Sequence, residues 1–344
     1  MRHPARLGIA LTLALATAGC STPSGQDPGT DARSATRAAA PETSVTSCGR
    51  RLSFAEPPRR AVALDQTSTE TLLELGLQER MTGTANLKTK IPDTYRSAYD
   101  TIPVIAEKIA TGEQLRAANP DFVVAASADL YTGDRAGTRE ELAALDVPTF
   151  VSAVDCPPRN RSGTSPFALL FADYENLGRI FGTEERAHRL AADQRAAVDE
   201  ARRSAVARPP GADVPTVVFL YSVFDGMPYV AGGSGLPSEM SRIVGARNVF
   251  DDVDEDWPEV SWEEVAERDP DIIVIGDLSE RGRPGDSAAE KRATLARHPV
   301  ISRLAAVRND RIIEVPGIEL DPSVRSVHAL RLLADGMRES GHGR

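Results

Sequence analysis

The sequence predicts an α/β protein of two Rossmann-like lobes, each with a central, mostly parallel sheet, joined by one long rigid helix. Three observations carry this expectation. One helix-into-strand passage occurs twice, as TGEQLRAANPDFVVAAS over 111–127 and SWEEVAERDPDIIVIGD over 261–277. In register, Thr111 meets Ser261, Glu113 meets Glu263, and Pro120-Asp121 meets Pro270-Asp271. Short β-branched strands alternate with helical periodicity in both halves, the pattern of parallel sheets covered by helices. Between the halves, residues 183–207 read as one helix.

In the amino-terminal half, RRAVALDQTSTETLLELGL gives a short buried strand, a turn and cap from Asp65 to Thr69, and an apolar-periodic helix. RMTGTA is a second strand, GEQLRAANPD a helix feeding the strand FVVAAS, and TREELAALDVPTFVSA repeats the alternation. The linking segment TEERAHRLAADQRAAVDEARRSAVA has a Thr cap, acid in its first turn, Arg in its last and Pro209-Pro210 as a stop. At 1.5 Å per residue it is a rod of roughly 37 Å. Its apolar face (Ala187, Leu190, Ala191, Ala197, Val198, Ala201) is thin, so it should lie along a surface. In the carboxy-terminal half, PTVVFLYS is a strand, LPSEMSRIVGA a helix capped near Ser238, VRNDRIIEVP the last strand, and SVRSVHALRLLADGMRES the closing helix.

The amino terminus reads as processing signal rather than fold. MRHPAR is a positive segment, LGIALTLALA an apolar stretch too short to span a membrane, and TAGC closes it with small residues before Cys20. That is the pattern of a bacterial lipobox, with cleavage before Cys20 and lipidation of the new terminus. Residues 20–47 are rich in Ser, Thr, Ala, Pro, Gly and Asp and should form a disordered tether. The expected divisions are therefore a signal peptide at 1–19, the tether, a lobe at 48–182, the helix at 183–207 and a second lobe at 208–344. A lipid-anchored location on the outer face of the cell membrane follows. With Cys20 lipidated, Cys48 and Cys156 remain, either as a disulfide in an oxidising compartment or as two buried thiols. A bridge over so long a loop would stabilise the fold by roughly 4–5 kcal/mol at most. The formal charge of −10 argues against a nucleic-acid partner.

The chain resembles the class III substrate-binding proteins of ABC importers, which receive ferric siderophores, haem or cobalamin. The resemblance rests on RRAVALDQTSTETLLELGLQERMTGTA, GEQLRAANPDFVVAAS, the linking helix and GARNVFDDVDEDWPEVSWEEVAERDPDIIVIGD, and runs from about Arg59 to Arg338. It implies a monomeric receptor rather than an enzyme. It implies no cofactor, iron entering only within a bound chelate. It also explains the repeat, since each lobe of this family carries a glutamate that docks on arginines of the membrane permease. The matching positions are Glu113 and Glu263. Thr111 and Ser261 read as N-caps, with Glu264 completing a capping box, so both carboxylates stand at the second helical position and point outward. Acids are also common there for the helix-dipole benefit alone.

Ligands of open α/β sheets sit beyond the carboxyl ends of the strands. The candidates there are Gln66, Glu107, Lys108 and Tyr131 in the first lobe, and Tyr221, Trp257, Arg281 and Arg325 in the second. Trp257 matches a family position whose ring lines the cleft. Arg325 suits an anionic ligand group or a structural ion pair equally. The run DDVDED before Trp257 reads as a solvated loop. Facing the cleft, it would disfavour strongly anionic ferric catecholates and favour a hydroxamate, with cobalamin or haem as the second choice.

Two other classes are weaker. GGSGLP at 232–237 lacks the glycine at position 236 that a nucleophile elbow needs, so a secreted hydrolase has no motif to stand on. A receptor for a bare metal ion wants converging ligands, and His188, His298, His328 and His342 are dispersed.

Overall fold

The computed structural model describes residues 42–156, 164–205 and 213–342. Cys20 and the expected signal peptide lie outside them.

The described chain opens with a hairpin, β1 (Thr43–Ser47) and β2 (Arg50–Phe54), paired antiparallel. Its two-residue turn, Cys48-Gly49, has positive φ at both positions (46° and 78°), the tight turn whose twist suits a hairpin. The fold therefore starts at Thr43 rather than at 48, because five tether residues find a strand partner. Next come β3 (Ala61–Ala63), α1 (Gln66–Glu74), β4 (Met81–Ala85), α2 (Asp93–Tyr99), β5 (Val104–Ala106) and α3 (Gly112–Ala117). β6 (Phe122–Ala125), α4 (Arg139–Ala143) and β7 (Thr149–Val151) complete the first sheet. Its order is β5-β4-β3-β6-β7, parallel throughout. The order reverses direction at β3, which leaves a crevice between the loops after β3 and β6.

Two long helices follow, α5 (Pro166–Phe181) and α6 (Glu184–Ser204). α5 is set by Ser165, whose hydroxyl caps Ala168 N–H, and by Pro166 at the first turn; it stops at Gly182, held at φ 71°. α6 is the linking rod, and Ala187, Ala191, Ala197, Val198 and Ala201 form its buried stripe.

The second lobe holds β8 (Thr216–Phe224), β9 (Met227–Val230), α7 (Leu236–Ile243), β10 (Arg247–Asn248), α8 (Trp262–Glu267), β11 (Ile272–Asp277), α9 (Ala288–Arg297), α10 (Ala305–Arg308), β12 (Ile312–Pro316) and α11 (Ser326–Met337). Its parallel order is β10-β8-β11-β12, with β9 folded back on β8 through a second positive-φ turn, Asp225-Gly226. α7 is not capped by Ser238. Gly235 holds the N-cap position, and the Ser238 hydroxyl donates to Gly232 O at 2.7 Å. One core cluster runs from α5 and α6 into the second sheet, so the lobes share hydrophobic packing along the rod.

The repeated passage is also structurally repeated. α3 and α8 both end in a left-handed residue before the proline, Asn119 (φ 47°) and Asp269 (φ 41°). Asp121 then accepts from Arg59 and Arg60 N–H, while Asp271 accepts from Thr216 N–H. Each Pro-Asp thus fastens the first strand of its own sheet to the strand that follows the repeated helix. The capping detail differs from expectation. Thr111 and Gln114 form the reciprocal box on α3, whereas Glu264 makes none on α8. Ser261 does cap Glu264 N–H at 3.0 Å, but the Glu264 carboxylate is drawn to Arg268, 3.2 Å away and one turn on.

Cys48 and Cys156 are joined as a disulfide with Cα atoms 5.5 Å apart. It ties the hairpin turn to the end of the first sheet.

Candidate functional site

A cavity of about 670 Å³ lies between the lobes. It is lined by the loops that leave β3, β4, β6 and β7 on one side, and by 234–237, 254–257 and 318–322 on the other. Apart from 234–237, which follows the antiparallel β9, these loops leave the carboxyl ends of parallel strands, where open α/β sheets receive ligands.

The first wall is built by Asp65, which ends β3 and caps α1. Its carboxylate accepts from Ser68 N–H at 2.8 Å and Ala126 N–H at 2.7 Å, joining the loops after β3 and β6. Gln66 lines the cavity, yet all its polar capacity is used. Its amide donates to Glu70 and Thr89, and its carbonyl accepts from Lys88 and Thr89 N–H. It shapes the 88–89 turn rather than reaching for a ligand.

The floor is crossed by ion pairs between the lobes. Lys88 Nζ lies 2.8 Å from Asp321 Oδ2 and 2.9 Å from the Tyr221 hydroxyl. Burial pulls the Lys88 ammonium down, but Asp321 and Tyr221 outweigh it and hold it above the ordinary lysine range. Burial and Asp321 together push the Tyr221 phenol up to about 12. Nearby, Arg325 donates to both oxygens of the fully buried Glu70 at 2.8 and 3.1 Å and stands 3.6 Å from Glu319.

The second wall carries the aromatic surface. Trp257 is half-buried and stacks on Tyr221, ring centroids 4.2 Å apart and tilted by 32°. Before it, Asp254, Glu255 and Asp256 face the cavity, so the run DDVDED is not merely a solvated loop. GGSGLP explains the placement. A Cβ on Gly232 would lie 2.0 Å from Glu255 O, and one on Gly233 2.4 Å from Asp251 O. Only glycines let the acidic loop lie against this backbone, an approach closed by Gly232 N–H to Asp256 O and Gly233 N–H to Val253 O.

Several expected ligand residues are placed elsewhere. Tyr131 is buried, its hydroxyl 3.0 Å from the carbonyls of both Val123 and Phe150, and it braces β6 against β7. Lys108 and Glu107 are exposed outside the cavity, and their neighbour Ile109 lines it instead. Arg281 is spent on Asp286 and Ser222. Arg325 is the structural ion pair, not an anion site. Tyr221 lies beneath Trp257 and supports it without lining the cavity. Of the expected set, Gln66 and Trp257 do line it. Lys88, Asp155 and Asp321 are among the polar lining residues that sequence reasoning missed.

Glu113 and Glu263 are both exposed at the starts of α3 and α8, and neither forms an ion pair among the described residues. Among those residues no helix is long and apolar enough to cross a membrane, and no cluster of His, Cys, Asp or Glu is arranged to hold a metal.

The profile described as periplasmic binding protein matches residues 62–318, three quarters of the chain and both sheets. The chain belongs to this family. Its two lobes on a rod are those of the class III substrate-binding proteins of ABC importers. A periplasmic binding protein from Veillonella parvula is 27% identical, with a TM-score of 0.73 over 87% of this chain and 98% of that one. A Saccharomonospora viridis protein of an ABC-type Fe3+-hydroxamate transport system is 26% identical, with a TM-score of 0.71 over 86% and 98%. The vitamin B12-binding protein of Yersinia pestis is 26% identical over 226 residues, 64% of this chain and 70% of its own length. As a periplasmic binding protein, this chain belongs to a family of substrate-binding proteins.

Proposed function

We propose that the chain is a lipid-anchored receptor outside the cytoplasmic membrane that binds a ferric siderophore of the hydroxamate type and delivers it to an ABC importer. The cavity carries this reading. Its volume suits a ligand larger than a bare ion, the Trp257 indole offers it a flat wall, and its carboxylates set the charge it tolerates. Each hydroxamate brings one negative charge, so three neutralise a ferric ion. Each catecholate brings two, and the resulting trianion meets Asp254, Glu255 and Asp256. The Saccharomonospora viridis relative, named for Fe3+-hydroxamate transport, supports the same choice.

Cobalamin is the second reading, favoured by the Yersinia pestis relative named for vitamin B12. Fluorescence titration separates them. The chain has two tryptophans, and Trp262 is buried against Gly226 O away from the cavity. Quenching by a ferric trihydroxamate that disappears in Trp257→Phe is expected. Quenching by cobalamin alone would replace the hydroxamate reading.

Glu113 and Glu263 are the docking points on the permease in this reading, and Cys20 bears the lipid. A mature terminus other than lipidated Cys20, found by mass spectrometry, would remove the anchor from the proposal and leave the receptor intact.

A further inference from the structure

One buried charge stands behind the cleft rather than in it. Lys291, on α9, is fully buried and is not among the residues that line the cavity. Its ammonium donates to three backbone carbonyls, Tyr221 O and Gly276 O at 2.6 Å and Asp286 O at 2.8 Å. Three donors meet three acceptors, a match that only the protonated amine can make. Burial pulls the ammonium down to about 8, with Asp286 opposing. The carboxylates around it are engaged elsewhere: Asp286 with Arg281 and Ser222, Asp277 with Ser279 and Ala288 N–H, and Glu290 with Ser287. A buried cation without a carboxylate bonded to it is costly, so its position calls for a reason.

The sheet supplies one. β8 and β11 pair as far as Leu220 and Ile275, and Tyr221 and Gly276 are the next residues along. There β8 is also paired with antiparallel β9, with a register shift between Leu220 and Ser222. Lys291 therefore ties the two strands together just where their own ladder stops. Both strands run on into the cleft. Tyr221 carries the ring on which Trp257 stacks, and its hydroxyl is held by Lys88 and Asp321. Gly276 abuts the floor: a Cβ there would lie 3.2 Å from Gly317 Cα, and Ile318 and Leu320 line the cavity. Tyr221 is thus fixed at its main chain by one lysine and at its hydroxyl by another.

We propose that Lys291 is a positioning residue for the ligand: by holding the Tyr221 main chain against Gly276, it sets where the Trp257 indole stands in the cleft wall. This rests on the receptor reading above and adds a residue that acts on the ligand only through Trp257. Methionine in its place keeps the length of the side chain and removes all three donors. The buried carbonyls then lose that partner, the strand ends part, and the ring beneath Trp257 shifts.

The test is a double-mutant cycle read by titration calorimetry with ferrioxamine B, a ferric trihydroxamate. Lys291→Met and Trp257→Ala should each weaken binding about tenfold, and the double variant should bind no worse than Trp257→Ala alone. Losses that multiply in the double variant, or full affinity in Lys291→Met, overturn the proposal while the receptor reading stands. Arg297→Gln, an exposed charge removal on the same helix, should bind as wild type does; a loss there equal to that of Lys291→Met would make bulk charge the cause and overturn it too. Where Lys291→Met does not fold, Lys291→Gln keeps two donors and should show a smaller loss with the same dependence on Trp257. A second readout needs no ligand. Tryptophan emission of Lys291→Met should differ from wild type, and the difference should vanish when both carry Trp257→Phe; emission unchanged by Lys291→Met overturns the proposal. If wild type binds no ferrioxamine B, the hydroxamate reading fails, and the emission difference alone decides whether Lys291 sets the indole.

Discussion

Replacing Arg325 with leucine should destabilise the protein in a pH-dependent way. The Glu70 side chain is fully buried and accepts two hydrogen bonds from Arg325 and one from the Gln66 amide. Taking away the guanidinium strands a buried carboxylate and leaves Glu319, 3.6 Å away, without one of its partners. A buried pair broken in this way typically costs about 3–5 kcal/mol. With about 2 cal/mol/K of unfolding entropy per residue, a domain of this size should lose about 5–8 °C in melting temperature. The sign of the pH effect follows from Glu70. Burial already raises its carboxyl above the ordinary range, with Arg325 opposing. Without Arg325 it rises further, so the folded variant keeps a proton to higher pH than the unfolded chain does. Stability from a raised carboxyl is present below the unfolded pKa and is lost as pH climbs through the folded one. Thermal melts of wild type and Arg325→Leu should therefore converge toward pH 5 and separate toward pH 8. Glu70→Gln in the Arg325→Leu background should recover much of the loss. A deficit that is constant with pH, or that grows on acidification, would refute the stranded-charge argument.

Three further outcomes are expected. Gly232→Ala, whose Cβ would sit 2.0 Å from Glu255 O, should cost about 1–3 kcal/mol and displace the acidic loop, weakening chelate binding in the fluorescence titration. Asp155 keeps its proton up to about 8 when folded, so its contribution declines as pH rises from the ordinary carboxylate range to about 8. Denaturant titrations should show Asp155→Asn flattening that decline. Glu113→Ala with Glu263→Ala should leave folding and chelate affinity unchanged and sharply lower ligand-stimulated ATP hydrolysis by the reconstituted importer. Each single change should lose less, and added salt should mimic part of the effect.

The architecture was legible because its signals are local. The β-branched runs, the caps at Thr111 and Ser261 and the long Ala-rich rod each announce themselves within a few residues. α5 went unread although Ser165, Pro166 and Gly182 mark its ends, because PFALLF is apolar in too continuous a run to show a helical stripe. The hairpin went unread because its turn is Cys-Gly, where Asn-Gly or Asp-Gly would have signalled it. The rule about strand ends located the right loops but not the direction of each side chain. It favoured Tyr131 and Arg281, whose polar groups are used inside their own lobes. It could not find Lys88–Asp321 or Glu70–Arg325, whose members lie 233 and 255 positions apart. Those pairs exist only once both lobes are folded against each other.

That distance in sequence bears on how the receptor works. The floor of the cleft is crossed by Lys88–Asp321 and Arg325–Glu70, pairs that oppose wide opening at the rod. The mouth is lined by Asp155 and Asp256, one from each lobe. Ligand entry should then alter the mouth far more than the hinge, giving small closure and little change in radius of gyration by X-ray scattering. The proposed docking carboxylates are tied to the same loops. Glu113 follows cavity-lining Ile109 by four residues, and Glu263 follows Trp257 by six. A permease holding both glutamates is placed to sense shifts of the loops around the cleft, so a nearly rigid receptor can still report whether it is loaded.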